Sequence, residues 1–233
     1  MNFLKHDDTD RNTDRKFFLK LVLKIIVALI IIQIARAIIM DSLWFTFGSA
    51  NNLTLFQLFN GISLIIVGSI LLLWIKPSLK DLGLDWHDMS LKKRIFYLFG
   101  SLFLIVMAMT PYTLTLDPEM LIIGVIFGII TPAFEEMLFR GYIWGKIEKS
   151  TSKIHNYDVL TWLTVTLLFS IWHLGYLDVF LIHPRGIGNI VPIMVSKLAI
   201  GIVLGLLVGY ARLKTGKTYL SIILHGLWNV MAP

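Results

Sequence analysis

Long apolar segments alternate with short polar connectors along the chain. Seven such segments cover approximately residues 17–40, 54–75, 94–110, 118–147, 158–175, 190–212 and 218–231. Most of them approach or exceed the roughly 20 apolar residues that a helix needs to cross a hydrocarbon core. Turn-forming residues mark the connectors, as in KPSLKD after the second segment and KTGK before the seventh. The pattern predicts an all-α, polytopic transmembrane bundle of about seven spans.

Basic residues are concentrated in every second connector. They precede the first helix and lie between helices 2 and 3, 4 and 5, and 6 and 7, whereas the alternate connectors contain only Arg185. Cytoplasmic connectors of membrane proteins carry such an excess of Lys and Arg, so we expect a cytoplasmic N-terminus. The formal charge of +6 therefore reflects membrane orientation. No nucleic-acid partner is expected.

Composition supports a membrane protein with one catalytic or binding core. Only 15% of the residues are charged, against about 25% in a soluble domain. The chain has no cysteine, which excludes disulfides, thiolate zinc sites and cysteine nucleophiles. We divide it into a cytoplasmic segment (1–16), N-terminal helices 1–3 (17–117) and a core of helices 4–7 (118–233). The expected location is a cell membrane, with bacterial cytoplasmic membrane favoured, and lipid is an expected partner.

A small set of ionisable residues falls within the apolar segments. Lys20, Lys24 and Arg36 lie near helix ends, where long side chains can snorkel to the interface, and Lys197, about two turns into helix 6, is expected to do the same. The remaining polar positions are Glu135, Glu136, Arg140, His173, His225 and Asn229. A charge at mid-membrane costs roughly 2.5–3.5 kcal/mol on insertion scales. These positions are therefore the candidate functional residues.

The stretch FEEMLFRG places two glutamates and an arginine on helix 4. Glu136 and Arg140 are four residues apart, so they lie on one helix face in the favourable order for an ion pair. Glu135 is rotated by about 100° from Glu136. We expect Glu135 to be protonated or to be paired with a group from another helix.

Three polar motifs occur in order on separate C-terminal helices. EExxxR on helix 4 is followed by FxxxH in FSIWH on helix 5 and by HxxxN in HGLWN on helix 7. At a rise of about 1.5 Å per residue, their polar groups are expected to lie roughly 10–22 Å from the inner end of each span. Each motif alone is equally compatible with packing, but together they predict a common cavity. The glycines of GVIFG and GIVLGLLVG predict close helix packing instead.

This order of motifs resembles the CPBP intramembrane proteases, also called the Abi or CAAX-protease-like family. The resemblance covers residues 118–231, and KDLGLDW after helix 2 is similar to a recurring feature of bacterial members. The family includes endopeptidases that trim prenylated CAAX proteins and bacterial proteins linked to bacteriocin processing and self-immunity. The resemblance implies a helical bundle with its catalytic groups inside the membrane.

The resemblance also implies a role for each motif residue. Glu135, with His173, would activate water, while His225 and Asn229 would stabilise the oxyanion. Glu136 and Arg140 would support the site. The expected substrate is a peptide or lipidated peptide.

Two questions stay open from the sequence. Glu135, His173 and His225 are a possible zinc set, although we favour a metal-free glutamate mechanism. The rival functions are a non-enzymatic immunity or scaffold protein and a small transporter, for which no internal repeat is apparent. The oligomeric state is not predicted.

Overall fold

A computed structural model of the chain describes residues 4–48, 52–87, 89–151, 156–177 and 190–231, with the side chains of residues 4–15 and 53 left out. The predicted connector around Arg185 lies outside the described residues. The described ranges contain seven helices and no strand, which confirms the all-α bundle. The helices are α1 (Leu4–Phe47), α2 (Leu53–Ile75), α3 (Leu91–Thr115), α4 (Pro118–Thr151), α5 (Tyr157–Tyr176), α6 (Ile190–Thr215) and α7 (Tyr219–Met231).

Among these helices, α1 to α6 are long and apolar enough to cross a membrane. The last helix, α7, is apolar but has only 13 residues. At 1.5 Å per residue it rises about 20 Å, which is short of a hydrocarbon core about 30 Å thick. Six of the seven predicted spans are thus long and apolar enough to cross a membrane, and α7 is a shorter apolar helix.

Helix α1 is longer than the apolar pattern indicated. It has 44 residues and continues to Phe47, where the sequence predicted an end near residue 40. The continuation is helical because residues 41–47 lack glycine and proline, which would break it. Arg36 consequently lies about three turns before the end of the helix.

Helix α4 is interrupted twice by wider π-helical segments. Regular helix at Thr131–Glu136 is flanked by π-helix at Ile126–Ile130 and at Met137–Ile143. Pro132 contributes to the first irregularity because it has no N–H to donate to the preceding turn. Single π-helical turns are frequent at functional sites. The glutamate pair ends the regular segment between the two irregularities.

The predicted glycine faces are helix contacts. A Cβ atom at Gly124 would meet the Ala108 carbonyl of α3, and one at Gly201 would lie 3.0 Å from the Ser170 Cα of α5. Gly226 of α7 is packed against the carbonyl of Gly128 in α4. Small residues allow this close approach of backbones. The contacts bring α4, α5, α6 and α7 together around the polar residues, which confirms the packing prediction.

The KDLGLDW segment after α2 holds the start of α7. The Leu82 carbonyl accepts a hydrogen bond from the Thr218 hydroxyl at 2.7 Å, and the Leu84 carbonyl accepts one from the Tyr219 hydroxyl at 2.5 Å. Gly83 has φ +66°, a left-handed conformation that favours glycine. The segment thereby fixes the position of the helix that carries His225.

Candidate active site

The carboxylate of Glu135 is held from helix α5. One oxygen, Oε1, accepts hydrogen bonds from Trp172 Nε1 at 2.9 Å and from the Tyr176 hydroxyl at 2.8 Å. The other oxygen, Oε2, lies 3.8 Å from His225 Nε2. The Glu135 side chain is buried. The expectation that Glu135 finds a partner on another helix is confirmed.

Glu136 forms the ion pair that the i, i+4 spacing predicted. Arg140 donates to Glu136 Oε1 at 3.0 Å, and both side chains are fully buried. The same oxygen is 2.9 Å from His225 Nδ1. The guanidinium also donates to the Gly205 carbonyl of α6 at 3.2 Å and stacks over the Phe169 ring of α5 at 4.1 Å. The pair therefore connects α4 to three other helices.

This arrangement orients the His225 ring. A carboxylate oxygen that is paired with Arg140 can only accept, so Nδ1 of His225 carries the proton. The Nε2 atom is then directed toward Glu135. Glu136 and Arg140 hold the ring and are not among the residues that line the cavity, and their supporting role stays a prediction.

His173 lies where helix α5 tightens into a 3₁₀ turn. That turn covers His173–Tyr176. The His173 Nδ1 atom is 2.8 Å from the Phe169 carbonyl, which can only accept, so Nδ1 carries the proton and Nε2 has a free lone pair. The Phe169 ring also packs edge-on against the His173 ring at 4.7 Å. The FxxxH spacing thus has a direct physical basis, because a carbonyl four residues back sets the histidine tautomer.

Asn229 is anchored on the first π-helical segment. Its Nδ2 atom donates to the Phe127 carbonyl at 3.0 Å. Pro132, five residues further along, cannot donate to that carbonyl, which leaves it available to α7. A primary amide has two N–H groups, so one remains for another acceptor.

One cavity brings the four predicted residues together. It has a volume of about 160 Å³ and is lined by Glu135, His173, His225 and Asn229. Its other lining residues include Thr131, Tyr176, Lys197, and Gln57 and Asn60 of α2. A polar cavity of this size can hold water. The predicted common layer is therefore present, and α2 from the N-terminal part of the chain contributes to it.

Three features of the site differ from the sequence-based expectations. Arg36 does not snorkel: its side chain is fully buried, because α1 continues beyond it and polar groups surround it. Lys197, which was expected to snorkel, lines the cavity. Trp172 and Tyr176 were not predicted as partners of Glu135. The placement of Tyr176 three residues after His173 is the only local signal for it.

The predicted zinc ligands Glu135, His173 and His225 are not arranged as a metal site. No group of three or more His, Asp or Glu side chains within the described ranges is placed so that it could hold a metal ion. His225 already uses Nδ1 on Glu136, and Glu135 already uses Oε1 on two donors. Metal dependence stays a prediction to be tested.

Comparison with protein families identifies a match for the C-terminal part of the chain. Residues 117–231 match the family described as Rce1-like, type II CAAX prenyl endopeptidase. The C-terminal half of the chain belongs to this family. The predicted CAAX-protease-like relationship is thereby confirmed, and the Rce1-like range contains all the predicted site residues. No curated protein and no solved structure is significantly similar to the chain. With α1 to α6 apolar enough to cross a membrane, the chain is membrane-embedded, and its C-terminal part is similar to an endopeptidase family.

Proposed function

We propose that the chain is an intramembrane endopeptidase that hydrolyses a peptide bond with a water molecule activated by Glu135. The observation that carries the proposal is the environment of this carboxylate. Two donors fix Oε1, Oε2 lies 3.8 Å from His225 Nε2, and Glu135 and His225 both line the polar cavity. A buried carboxylate next to a water-sized space is suited to general-base catalysis. This use also accounts for an ionisable pair of glutamates within a membrane-spanning helix.

In the proposed first step, Glu135 removes a proton from water. The Nε2 atom of His173, which has a free lone pair, accepts the second hydrogen bond of that water and orients it. The water oxygen attacks the carbonyl carbon of the peptide and forms a tetrahedral intermediate. When the carbon–nitrogen bond breaks, the proton held by Glu135 passes to the leaving amine. Glu135 thereby returns to its starting state.

His225 and Asn229 are the proposed donors to the oxyanion. Asn229, which has one amide N–H left to donate, and His225 both line the cavity. For this role the His225 ring must enter the step as an imidazolium, which donates Nδ1–H to Glu136 and Nε2–H to the oxyanion and keeps both protons throughout. Preorganised donors of this kind stabilise charge that develops in the transition state, most strongly where water is excluded. Glu136 and Arg140 support this step by fixing the ring.

The proposed substrate is a peptide that reaches the cavity from the membrane, such as a lipidated C-terminal segment. The family description as a CAAX prenyl endopeptidase supports this class. The mostly apolar exterior of α1 to α6 supports delivery through the bilayer. The Lys197 ammonium among the cavity-lining groups limits the cavity to substrates that tolerate a cation there.

The test is cleavage of a panel of fluorogenic peptides, with and without a prenyl group, by the detergent-purified protein. Glu135→Gln preserves the shape of the side chain but removes the base. Glu148→Gln is the matched control, because Glu148 lies on the same helix and borders a different pocket. We expect cleavage by the wild type and by Glu148→Gln, and none by Glu135→Gln. Equal cleavage by all three proteins would refute the assignment of Glu135.

A non-enzymatic immunity or scaffold role makes the opposite prediction. In that case a folded Glu135→Gln variant keeps the full biological effect of the wild type. A protective phenotype in cells that survives this substitution, together with no cleavage of any peptide, would overturn the proposed function.

A further inference from the structure

The C-terminal end of helix α5 is capped by two side chains of helix α1. The last carbonyls of a helix have no partner within the helix and need donors from elsewhere. Gln33 Nε2 donates to the Trp172 carbonyl at 3.0 Å, and an Arg36 terminal nitrogen donates to the Gly175 carbonyl at 3.2 Å. A cation at this end also interacts favourably with the helix dipole. The donors are about 139 residues away in sequence from the carbonyls that they bind.

The capped turn carries the groups that hold Glu135. Trp172 and Tyr176 both donate to Glu135 Oε1, and His173 lies between them in the chain. The Arg36 guanidinium lies 4.6 Å from the centre of the Tyr176 ring. Arg36 thus contacts both the backbone of the turn and the ring whose hydroxyl binds the carboxylate.

The capping residues are themselves held in place. Arg36 Nε donates to Gln33 Oε1 at 2.7 Å, and a terminal nitrogen lies 3.4 Å from Asn60 Oδ1 of α2. Arg36 is fully buried, and Gln33 and Asn60 are each 7% exposed. A buried guanidinium is expensive within a membrane. A simple contact between two apolar helices does not require one.

Glycine at position 175 permits the close approach of the two helices. A Cβ atom there would lie 2.5 Å from the Gln33 Cγ and Cδ atoms. The Gln33 side chain therefore occupies the space directly beside the turn. The contact leaves little freedom for the turn to shift relative to α1.

We propose that Gln33 and Arg36 are positioning residues of the active site, which act through Trp172 and Tyr176 to set the orientation of Glu135. Both lie outside the range of residues 117–231 that matches the family. The N-terminal part of the chain is thus required to complete the site that the C-terminal part carries. This inference rests on the proposed function for its catalytic consequence, but the capping of the turn is independent of it.

The first test compares Arg36→Met with Lys24→Met in the purified full chain. Both substitutions replace a cation of α1 by methionine, but Lys24 is exposed whereas Arg36 is buried. We expect Arg36→Met to lower kcat by roughly tenfold or more with KM within about twofold, since small misplacements of a catalytic group are costly. Lys24→Met should retain wild-type values. Unchanged kcat in a folded Arg36→Met protein would overturn the proposal.

A double-mutant cycle with Tyr176→Phe separates positioning from general destabilisation. If Arg36 acts through the Tyr176 hydroxyl, Arg36→Met should lower kcat much less in the Tyr176→Phe background than in the wild type. Full additivity of the two losses would contradict the proposed route. If Arg36→Met does not fold, Gln33→Leu replaces it in the same cycle, with Trp172→Phe as its partner.

Hydrogen exchange of the backbone amides provides a readout that needs no substrate. We expect Arg36→Met to increase exchange in residues 172–177, while Glu135→Gln and Lys24→Met leave that segment protected. If no peptide is cut by the wild type, the proposed function fails and exchange alone decides the capping role. Unchanged protection in Arg36→Met would then overturn the capping role as well.

Discussion

Replacement of Arg140 by methionine tests whether the buried ion pair braces the site. In the native protein the guanidinium is paired with Glu136 at 3.0 Å, with both side chains fully buried. It also binds the Gly205 carbonyl and stacks over the Phe169 ring. Arg140→Met keeps much of the side-chain volume but leaves the Glu136 charge buried without its counter-ion. The structure therefore predicts a large loss of stability.

The magnitude follows from the burial of both partners. Breaking a buried ion pair by removing one partner costs about 3–5 kcal/mol, mainly because the other charge is left uncompensated. For a chain of this size each kcal/mol shifts the melting temperature by about 2–4 °C, which gives a decrease of roughly 6–20 °C. The double variant Glu136→Gln/Arg140→Met has neither charge. It should recover at least about 1 kcal/mol relative to Arg140→Met alone, as expected for directly coupled residues.

The assay is thermal unfolding of the wild type and the three variants in one detergent, followed by helical circular dichroism. Glu136→Gln is included because a double-mutant cycle needs both single variants as well as the double variant. An Arg140→Met protein that melts within about 2 °C of the wild type would refute the predicted role of the ion pair. A double variant whose loss of stability equals the sum of the losses of Arg140→Met and Glu136→Gln would refute it as well.

Three further predictions concern catalysis, metal and pH. Asn229→Ala should lower kcat by about 10²–10³-fold with little change in KM if its amide stabilises the oxyanion; a loss confined to KM would contradict that role. Chelator treatment should leave peptide cleavage unchanged, and a loss of cleavage that zinc restores would contradict the metal-free mechanism. Hydrogen bonds from His87, followed by the nearby charge of Lys217, lower the pKa of Asp85 in the segment after α2. Because the pKa of Asp85 is lower in the folded than in the unfolded state, the ionised carboxylate stabilises the fold. This stabilisation is present at pH values above the ordinary aspartate pKa and is lost as the pH falls through the lowered pKa. The melting temperature of Asp85→Asn should therefore depend less on pH below about 5 than that of the wild type, and identical pH profiles would refute the linkage.

Local spacing was sufficient to predict the polar core of the site. Glu136 and Arg140 are one helical turn apart, so their pairing follows from the helix alone. The same geometry left Glu135 without a partner on its own helix, and the structure places its partners on α5. His173 and its carbonyl acceptor are likewise one turn apart. Interactions within a single turn leave a pattern in the sequence.

Contacts between distant segments left no such pattern. Arg36 was expected to snorkel, because an arginine near the end of an apolar run normally does so. Its partners on other helices include a backbone carbonyl on α5 and an amide on α2, which no periodicity connects to it. The π-helical segments of α4 were also missed, since a hydrophobic pattern does not distinguish a wider turn from a regular one. Both omissions concern how the site is held rather than which residues form it.

The measurement that tests the central claim most directly is kcat for the wild type and for Glu135→Gln on one peptide that the wild type cleaves. Removal of a general base should lower kcat by about 10²–10⁴-fold. Glu148→Gln, measured in parallel, should retain the wild-type rate. The account predicts this contrast at unchanged KM and unchanged melting temperature. A Glu135→Gln protein that is folded and cleaves the peptide within about tenfold of the wild-type rate would contradict it.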